Sequence, residues 1–371
     1  VADVMQPAKP AEQSVSPSVV QGVLDDLAAA KNPMMIVGGP KWSADCAALL
    51  ARFAQATGLA VGTSFRSQDY IDNRHPNYIG DVGIGPNPEL AKRIDDADVL
   101  FVLGARLGEM TTGGYAMLPP PKTNQSLIHV HSNPDEIGRV YVADRGVCCD
   151  PAAFLRTALD LVQQPLSPPP TVERSSYEAW QTPFETPGDV KMEQVITHLT
   201  SVMPQDAIIT NGAGNYAAWL HRYYRFKSYR TQLAPTSGSM GYGLPAAVAA
   251  KLERPDQEVV CLAGDGCFQM CMQEFGTAVQ YGANIIVIVS NNGVYGTIRM
   301  HQQRHYPNRP SGTDMINPDF AALAAAYGAH GEQVMTSADF PAALARARGS
   351  GKPAIIELKT DPAAVSHRTP A

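Results

Sequence analysis

The chain has 371 residues, of which 44% are hydrophobic and 17% charged, and its formal net charge at pH 7 is −6. This length predicts two or three domains, and the composition is ordinary for a soluble globular protein with a sizeable core. The acidic balance argues against nucleic acid or an acidic membrane as a partner, and no stretch approaches the roughly 20 apolar residues that a membrane span requires.

The cysteine content favours a reducing compartment. The six cysteines form no CxxC pair, and several fall inside predicted strands or helices. We therefore expect free, mostly buried thiols in a cytoplasmic protein. The six are Cys46, Cys148, Cys149, Cys261, Cys267 and Cys271.

The first half of the chain predicts one α/β domain. Residues 1–17 have the Pro-, Ala- and Ser-rich composition of a linker remnant, with neither the basic flank nor the apolar core of a signal peptide. Residues 18–164 alternate helical patterns with short apolar runs, which predicts a parallel sheet covered on both faces. The predicted helices are 19–30, 43–58, 88–97 and about 151–163, and the predicted strands are 34–39, 59–63, 98–104 and 126–131.

The second half predicts another domain of the same kind. Residues 165–188 are rich in proline and predict a linker, with room for a short helix around ERSSYEAW. The predicted helices of residues 189–371 are 191–203, 214–222, 240–252, 268–281, one from about 295, 317–327 and 337–348, and the predicted strands are 206–211, 258–264, 284–291 and 354–359. The predicted fold class is therefore α/β, with two doubly wound parallel-sheet domains joined by a Pro-rich linker.

Three glycine-rich loops of the second domain follow predicted strands. They are NGAGNY at 211–216, AGDGCF at 263–268 and NNGVYG at 291–296. In open parallel sheets, ligands bind beyond the carboxyl ends of the strands. Glycine lets backbone amides approach a phosphate closely, and each loop leads into a helix N-terminus, which favours an anion. The three loops together predict a phosphate site, whereas any one alone would more often be a tight turn.

Two polar side chains in these loops predict a metal. Between GDG at 264–266 and Asn291–Asn292 lie 24 residues, enough for one helix and one strand, so Asp265 and Asn292 should lie at neighbouring strand ends. A carboxylate, an amide oxygen and a nearby carbonyl are hard oxygen ligands that suit Mg²⁺ or Ca²⁺. Mg²⁺ completes its octahedron with phosphate oxygens and water, so the site is suited to a metal-bridged diphosphate.

This spacing resembles the thiamine-diphosphate motif of the superfamily of acetolactate synthase, benzoylformate decarboxylase and pyruvate oxidase. TSGSMGYGLPAAVAA at 236–250 resembles the turn and helix beside the thiazolium ring, and NNGVYGTIRMHQ resembles the start of the substrate-side helix. LIHVHSNPDEIGR at 127–139 resembles a segment of the central domain. The resemblance covers nearly the whole chain from about residue 18. It implies a Mg²⁺- and thiamine-diphosphate-dependent enzyme that decarboxylates or joins 2-oxo acids, as a homodimer or homotetramer.

The resemblance also implies a set of site residues. Mg²⁺ would be held by Asp265, the side chain of Asn292 and the backbone carbonyl of Val294. The residues expected to contact the diphosphate are Gly214, Asn215, Tyr216, Gly264, Gly266, Cys267, Tyr295 and Gly296.

Further residues are implied on the catalytic side. Met240 stands where relatives place a bulky apolar residue that bends the cofactor, and the Gly238 carbonyl would accept a hydrogen bond from the cofactor's 4′-amino group. His301 and Arg299 follow the NN loop by one turn, on a face that borders substrate in relatives. Two interpretations of His301 remain open: it contacts substrate in the pocket, or it is an ordinary surface or structural histidine. Cys267 fills a small-residue position, so we expect packing there rather than a nucleophile.

Some alternatives stay open at this point. Relatives carry a pyrimidine-binding domain whose glutamate activates the cofactor, and residues 1–371 contain no counterpart. We expect the chain to be a fragment of a longer polypeptide, or a separate chain to supply that domain; the alternative is a chain that binds thiamine diphosphate without turnover. FAD is disfavoured, because HSNP at 131–134 lacks an acidic residue common in relatives. A Rossmann dehydrogenase has little support, because no GxGxxG follows the first strand of either domain.

Overall fold

The computed structural model describes residues 11–367, so the predicted segments 1–17 and 189–371 lie partly outside the described residues. The chain divides into two compact units. Within the described residues, one comprises the chain up to Ile71 with His75–Ser176, and the other comprises Asp72–Arg74 with the chain from Tyr177 onward. The division at 176/177 falls within the predicted Pro-rich linker.

The first unit contains a six-stranded parallel sheet. Its strands are β1 Met34–Val37, β2 Ala60–Ser64, β3 Tyr78–Val82, β4 Val99–Leu103, β5 Ser126–His131 and β6 Arg145–Cys148. Its helices are α1 Pro17–Ala29, α2 Ala44–Thr57, α3 Pro88–Asp95 and α4 Pro151–Leu161, followed by α5 Thr171–Trp180 at the division between the units. The strand order is β3-β2-β1-β4-β5-β6, as in a doubly wound fold.

Local sequence signals explain several of these boundaries. The Ser43 hydroxyl accepts the Cys46 N–H at the start of α2, and Gly58 ends that helix with φ +76°, a conformation that favours glycine. The helix α5 lies where the sequence leaves room for one around ERSSYEAW. Strands β3 and β6 are absent from the sequence prediction, because each combines a glycine with a charged residue, Asp81 in β3 and Arg145 in β6, and β6 is partly exposed.

The second unit contains another six-stranded parallel sheet. Its strands are β7 Ile208–Asn211, β8 Gln232–Leu233, β9 Val259–Gly264, β10 Ile286–Asn291, β11 His330–Val334 and β12 Ala354–Lys359. Its helices are α6 Met192–Val202, α7 Tyr216–Tyr223, α8 Gly243–Glu253, α9 Asp265–Gln269, α10 Glu274–Gln280, α11 Gly296–His305, α12 Phe320–Ala326 and α13 Phe340–Gly349. The strand order is β11-β12-β10-β9-β7-β8.

Both faces of this second sheet are buried. Ile209, Val260 and Ile288 belong to one apolar core cluster, whereas Val259 and Val287 belong to another. Successive strand residues point to opposite faces, so these two clusters lie on the two sides of the sheet. Helices therefore cover both faces, which is the predicted fold class.

The sequence prediction differs from the structure at several places in this unit. The single helix predicted at 268–281 is two helices, α9 and α10, and α9 begins at Asp265 itself. The helix predicted at 317–327 begins only at Phe320. Strands β8 and β11 were not predicted, because β8 has two residues and β11 is polar and only partly buried.

The structure also bears on the predicted environment. All six cysteines are free, and only Cys148 among them is exposed. Among the helices formed by residues 11–367, none combines the length and apolar character needed to cross a membrane.

The topology positions the predicted site. Strands β10, β9 and β7 are consecutive neighbours in the sheet, and all pairs among them are parallel. The three glycine-rich loops follow these three strands, so they emerge side by side at one edge. In the register of β9 and β10, Gly264 lies opposite Ser290, which brings Asp265 close to the Asn291–Asn292 loop.

Candidate functional site

The carboxyl ends of β7, β9 and β10 open into a cleft whose empty space is about 520 Å³, counting the part open to solvent. It is lined by residues 213–216, 264–267 and 294–298 from the three loops, together with Met240, Ser290 and Asn292. The sequence-predicted cofactor and metal residues line this cleft with one exception, Gly238. His301 is also outside the lining.

Two glycines of the GDG motif have no room for a side chain. A Cβ on Gly264 would lie 2.8 Å from the Tyr216 ring, and a Cβ on Gly266 would lie 2.8 Å from the Tyr295 ring. Contacts this short would force the rings or the loop to move. The two glycines therefore let the Tyr216 and Tyr295 rings pack directly against the loop backbone, and both glycines line the cleft.

Among the described residues that line the cleft, Asp265 is the one carboxylate, and it is 3% exposed. Its Oδ1 accepts the Gly266 N–H at 2.8 Å, and its Oδ2 accepts the Gly293 N–H at 2.8 Å and the Asn317 side-chain amide at 2.7 Å. Burial raises the pKa of Asp265, although these N–H donors act in the opposite direction. A cation in the cleft would compensate the buried charge.

Asn292 and Val294 lie in the loop after β10 and carry neutral oxygens that also face the cleft. Val294 forms an antiparallel bridge with Asp314, and the backbone of its neighbours Gly293 and Tyr295 bonds to that facing segment. Since successive backbone groups point in opposite directions, the N–H and carbonyl of Val294 point away from the segment. Its N–H donates to Asn292 Oδ1 at 3.1 Å. The Val294 carbonyl and the Asn292 side chain thus lie on one side of the loop.

The Cys267 thiol is held by two donors. The Tyr216 hydroxyl and the Gly241 N–H each donate to Cys267 Sγ at 3.2 Å, and the Gly212 N–H donates to the Tyr216 oxygen at 3.0 Å. Burial, with the neighbouring Cys267, raises the pKa of Tyr216 well above its usual value, so its hydroxyl stays protonated. This arrangement joins the loops after β7 and β9 with the turn before α8.

Asn215 joins the first loop to α11. Its backbone N–H donates to the Thr297 hydroxyl at 3.1 Å, and that hydroxyl donates to Asn215 Oδ1 at 2.8 Å. The Asn215 amide also donates to the Val365 carbonyl at 2.6 Å. The side chain is therefore used for structure, and its backbone stays at the cleft.

Of the catalytic candidates Gly238, Met240 and His301, Met240 alone lines the cleft. Met240 lines the cleft and is 37% exposed, whereas Gly238, two residues earlier, lies in a turn with φ +73° outside the lining. His301 is exposed on α11 and stacks on His305, with 6.3 Å between the ring centroids. Arg299 is paired with Asp314 at 2.6 Å and donates to the Thr313 hydroxyl. Met240 is thus more open to solvent than Asp265, which is 3% exposed.

The donor set fits a hard cation with phosphate ligands. Within residues 11–367, no group of three or more His, Cys, Asp or Glu side chains could hold a metal ion. A metal at Asp265 would therefore take one carboxylate, amide and carbonyl oxygens, and ligand oxygens, which is the preference of Mg²⁺. Gly264 and Gly266 line the same cleft, so a diphosphate bound there would lie beside their backbone.

Comparison with known proteins agrees with this geometry. Residues 212–358 match "Thiamine pyrophosphate enzyme, C-terminal TPP binding domain", and residues 20–158 match "Thiamine pyrophosphate enzyme, central domain". The chain belongs to the thiamine pyrophosphate enzymes. The cleft lies entirely within the first of these matches, at the loops that bear the Asp265 and Asn292 pair.

Similar proteins are acetolactate synthases. The chain is 31% identical over 326 residues to the acetolactate synthase isozyme 3 large subunit of Escherichia coli K12, covering 85% of this chain and 56% of that protein. It is 29% identical to the acetolactate synthase large subunit of Parasynechococcus marenigrum, covering 95% and 57%, and 30% identical to that of Corynebacterium glutamicum, covering 89% and 54%. The chain thus spans just over half the length of the relatives it matches.

Sequence reasoning missed some residues at the cleft. Ser290, Thr297 and Ile298 line it, and Asn317 bonds to Asp265 from outside the lining. Thr297 and Ile298 directly follow the NNGVYG loop, so their position could have indicated them. Asn317 has no such signal, because it reaches Asp265 from a segment 52 residues away.

Proposed function

We propose that this chain provides the diphosphate and metal half of a thiamine-diphosphate- and Mg²⁺-dependent enzyme that decarboxylates 2-oxo acids or joins them, as acetolactate synthases do. The observation that carries the proposal is the position of Asp265, Asn292 and Val294 at the ends of two adjacent strands, beside bare glycine backbone. That combination provides hard oxygen ligands and amide donors in one cleft.

Each part of the cleft has a proposed task. Asp265, the Asn292 side chain and the Val294 carbonyl would hold Mg²⁺, and backbone groups of the three loops would bind the diphosphate. Met240 would pack against the organic part of the cofactor, and the Gly238 carbonyl would accept a hydrogen bond from its aminopyrimidine. Bound thiamine diphosphate supplies a thiazolium ring that accepts the electron pair released when a 2-oxo acid loses carbon dioxide.

Exposed apolar side chains at the rim of the cleft support the proposal that a partner domain packs there. Met240 is 37% exposed, Met270 is 54% exposed and Ile298 is 53% exposed, and these apolar side chains lie on or near the open side of the cleft. We propose that a glutamate-bearing pyrimidine-binding domain covers them, from the same polypeptide or from another chain, in a homodimer or homotetramer. Sedimentation of the active protein as a monomer would contradict the oligomer.

We propose a structural role for the first unit, without FAD. At the switch point between β1 and β4, a Cβ on Gly39 would come 1.8 Å from the Gly104 carbonyl oxygen, so backbone of the two loops fills that place. The absorption spectrum of the purified protein tests this, because a flavin spectrum that persists through gel filtration would contradict it. The free cysteines favour a cytoplasmic location, which cell fractionation can test.

His301 is proposed to influence substrate choice in the assembled site. It lies on α11, whose first turn lines the cleft, and it carries an exposed imidazole that can meet an anionic substrate. His301→Ala should change the relative rates among 2-oxo acids while leaving cofactor binding intact. An unaffected substrate profile would assign it to the surface alone.

The function is tested by binding first and turnover second. Calorimetric titration of the chain with thiamine diphosphate should show binding that requires Mg²⁺, and binding that is absent or indifferent to Mg²⁺ would overturn the proposal. The full reading-frame product, or the chain with its partner, should then release carbon dioxide from members of a 2-oxo acid panel. Mg²⁺-dependent binding without turnover in that preparation would identify a non-catalytic cofactor-binding protein.

A further inference from the structure

The two oxygens of Asp265 are not equivalent. Oδ2 accepts two hydrogen bonds, one from the Gly293 N–H and one from the Asn317 amide, whereas Oδ1 accepts the N–H of Gly266. A carboxylate oxygen has about two lone-pair sites. Oδ2 is therefore occupied by the protein, and Oδ1 keeps acceptor capacity for a cation.

The orientation of the Asn317 amide is determined by its three partners. Its Nδ2 donates to Asp265 Oδ2 and to Asn291 Oδ1, both at 2.7 Å, and its Oδ1 accepts from Gln269 Nε2 at 2.7 Å. The opposite orientation would place the amide oxygen against two acceptors. Asn317 can therefore serve this position only with its NH₂ group toward Asp265.

A buried carboxylate fixes the other end of this network. Asn291 Nδ2 donates to Glu357 Oε1 at 2.5 Å, so its own oxygen is left for Asn317. Glu357 is 0% exposed and also accepts from Lys359 at 2.6 Å and from Gln333 at 3.0 Å. In the strand register, Gln333 and Val289 lie opposite Glu357, and Lys359 lies opposite Asn291. Alternate residues share a sheet face, so the register itself builds this polar row.

The backbone on both sides of Asn317 is also held in place. Before it, the Met315 N–H donates to the Gly293 carbonyl at 2.8 Å, which ties the segment to the proposed metal loop. After it, Pro318 restricts Asn317 to extended conformations, and Asp319 caps α12 by accepting the Ala322 N–H. Asn317 is therefore brought to Asp265 by a short segment anchored at both ends.

We propose that Asn317 is the positioning residue of the metal site: its amide holds Asp265 in the rotamer that keeps Oδ1 available to the cation, with Asn291 and Glu357 as the fixed base of the network. This proposal rests on the proposed function of the cleft. Groups that orient a metal ligand typically change metal affinity by 10- to 100-fold when they are removed, so the effect should be measurable.

The test is direct metal binding with thiamine diphosphate present. Mn²⁺ serves as the probe, because its free ion is quantified by electron paramagnetic resonance, and Mg²⁺ is then measured by competition. We expect Asn317→Ala to raise the Kd for Mn²⁺ about 10-fold or more, and the affinity for thiamine diphosphate to recover at saturating Mg²⁺. Ile316→Ala is the matched control, because the neighbouring Ile316 side chain is fully exposed.

Three outcomes separate the possibilities. An unchanged Kd for Mn²⁺ in Asn317→Ala overturns the positioning role while leaving the proposed function intact. Absence of Mn²⁺ binding by the unmodified chain overturns the proposed function and this inference with it. If Asn317→Ala does not fold, as judged by the melting temperature without metal, Asn317→Ser decides, because serine keeps a polar side chain at this position but is one bond too short to donate to both Asp265 and Asn291. A raised Kd in Asn317→Ser supports the role, and an unchanged Kd overturns it.

Discussion

The Gly293 backbone N–H donates to Asp265 Oδ2 at 2.8 Å, and this bond joins the loop after β10 to the end of β9. It exists because Gly264 and Ser290 are opposite each other in the register of these two parallel strands. The residue proposed to bind the metal is therefore also the acceptor that holds the metal loop in place. Substitutions at Asp265 should affect both.

Asp265→Asn tests the metal site with the smallest change in volume. The amide removes the charge and places an NH₂ group among N–H donors, so Mg²⁺-dependent binding of thiamine diphosphate should weaken at least about 100-fold. Isothermal titration at several Mg²⁺ concentrations measures this. Asp256→Asn, at an exposed position between α8 and β9, is the control and should bind as the unmodified chain does. Equal binding by both variants would refute the metal assignment.

Met240→Ala tests contact with the organic part of the cofactor. Full burial of a methionine side chain contributes about 1.5–3 kcal/mol, so losing this contact should weaken cofactor binding or turnover about 10-fold or more. Mg²⁺ binding should change little, because Met240 offers no oxygen. Met335→Ala is the matched control, since Met335 is 57% exposed and outside the cleft lining. Similar losses in both variants would remove the specific role of Met240.

The glycine loops and the Asp265–Asn292 pair could be predicted from the sequence, because parallel sheets bring strand ends to one edge. Their spacing, predicted as one helix and one strand, corresponds to the adjacent strands β9 and β10, with α9 and α10 between them. Asn317 could not be predicted in this way. Its contact with Asp265 depends on pairing between the segment at 313–315 and the loop at 293–295, and no local pattern encodes that pairing.

The break between α9 and α10 shows a different limit of prediction from the sequence. The apolar spacing of FQMCMQEFGTAV is continuous, so it predicts a single helix. In the structure, the N–H of Cys271 bonds to the Phe268 carbonyl and the N–H of Glu274 bonds to the Cys271 carbonyl, both three residues apart. These tighter turns replace α-helical bonds between α9 and α10, and side-chain periodicity does not distinguish the two geometries.

Asp81 on β3 should make the first unit less stable as the pH rises. Burial raises the pKa of Asp81 from its usual 3.8 to about 7. The folded chain therefore keeps a proton that the unfolded chain releases, and stability falls between about pH 4 and pH 7. One pKa unit corresponds to about 1.4 kcal/mol, so Asp81→Asn should stabilise the protein by about 1 kcal/mol or more at pH 8 relative to its effect at pH 4.

Urea unfolding of the chain and of Asp81→Asn at both pH values measures this difference. Asp160→Asn, at an exposed position on α4, is the control and should show no such change with pH. If the difference between Asp81→Asn and the unmodified chain were the same at pH 4 and pH 8, the partly buried Asp81 carboxylate would not be the cause.

Cys267→Ser separates packing from nucleophilic chemistry at the cleft. Cys267 Sγ accepts hydrogen bonds from the Tyr216 hydroxyl and the Gly241 N–H, and a serine oxygen can accept the same two. We therefore expect cofactor binding and turnover to stay within about threefold, since the donors remain satisfied.

Cys267→Val removes the acceptor and adds bulk where a Cβ on Gly212 would already lie 2.3 Å from the sulfur, so it should cost about 1–3 kcal/mol of stability. Thermal unfolding and steady-state turnover measure both effects. A stable Cys267→Ser protein that binds the cofactor but has lost turnover would instead assign the thiol a covalent role.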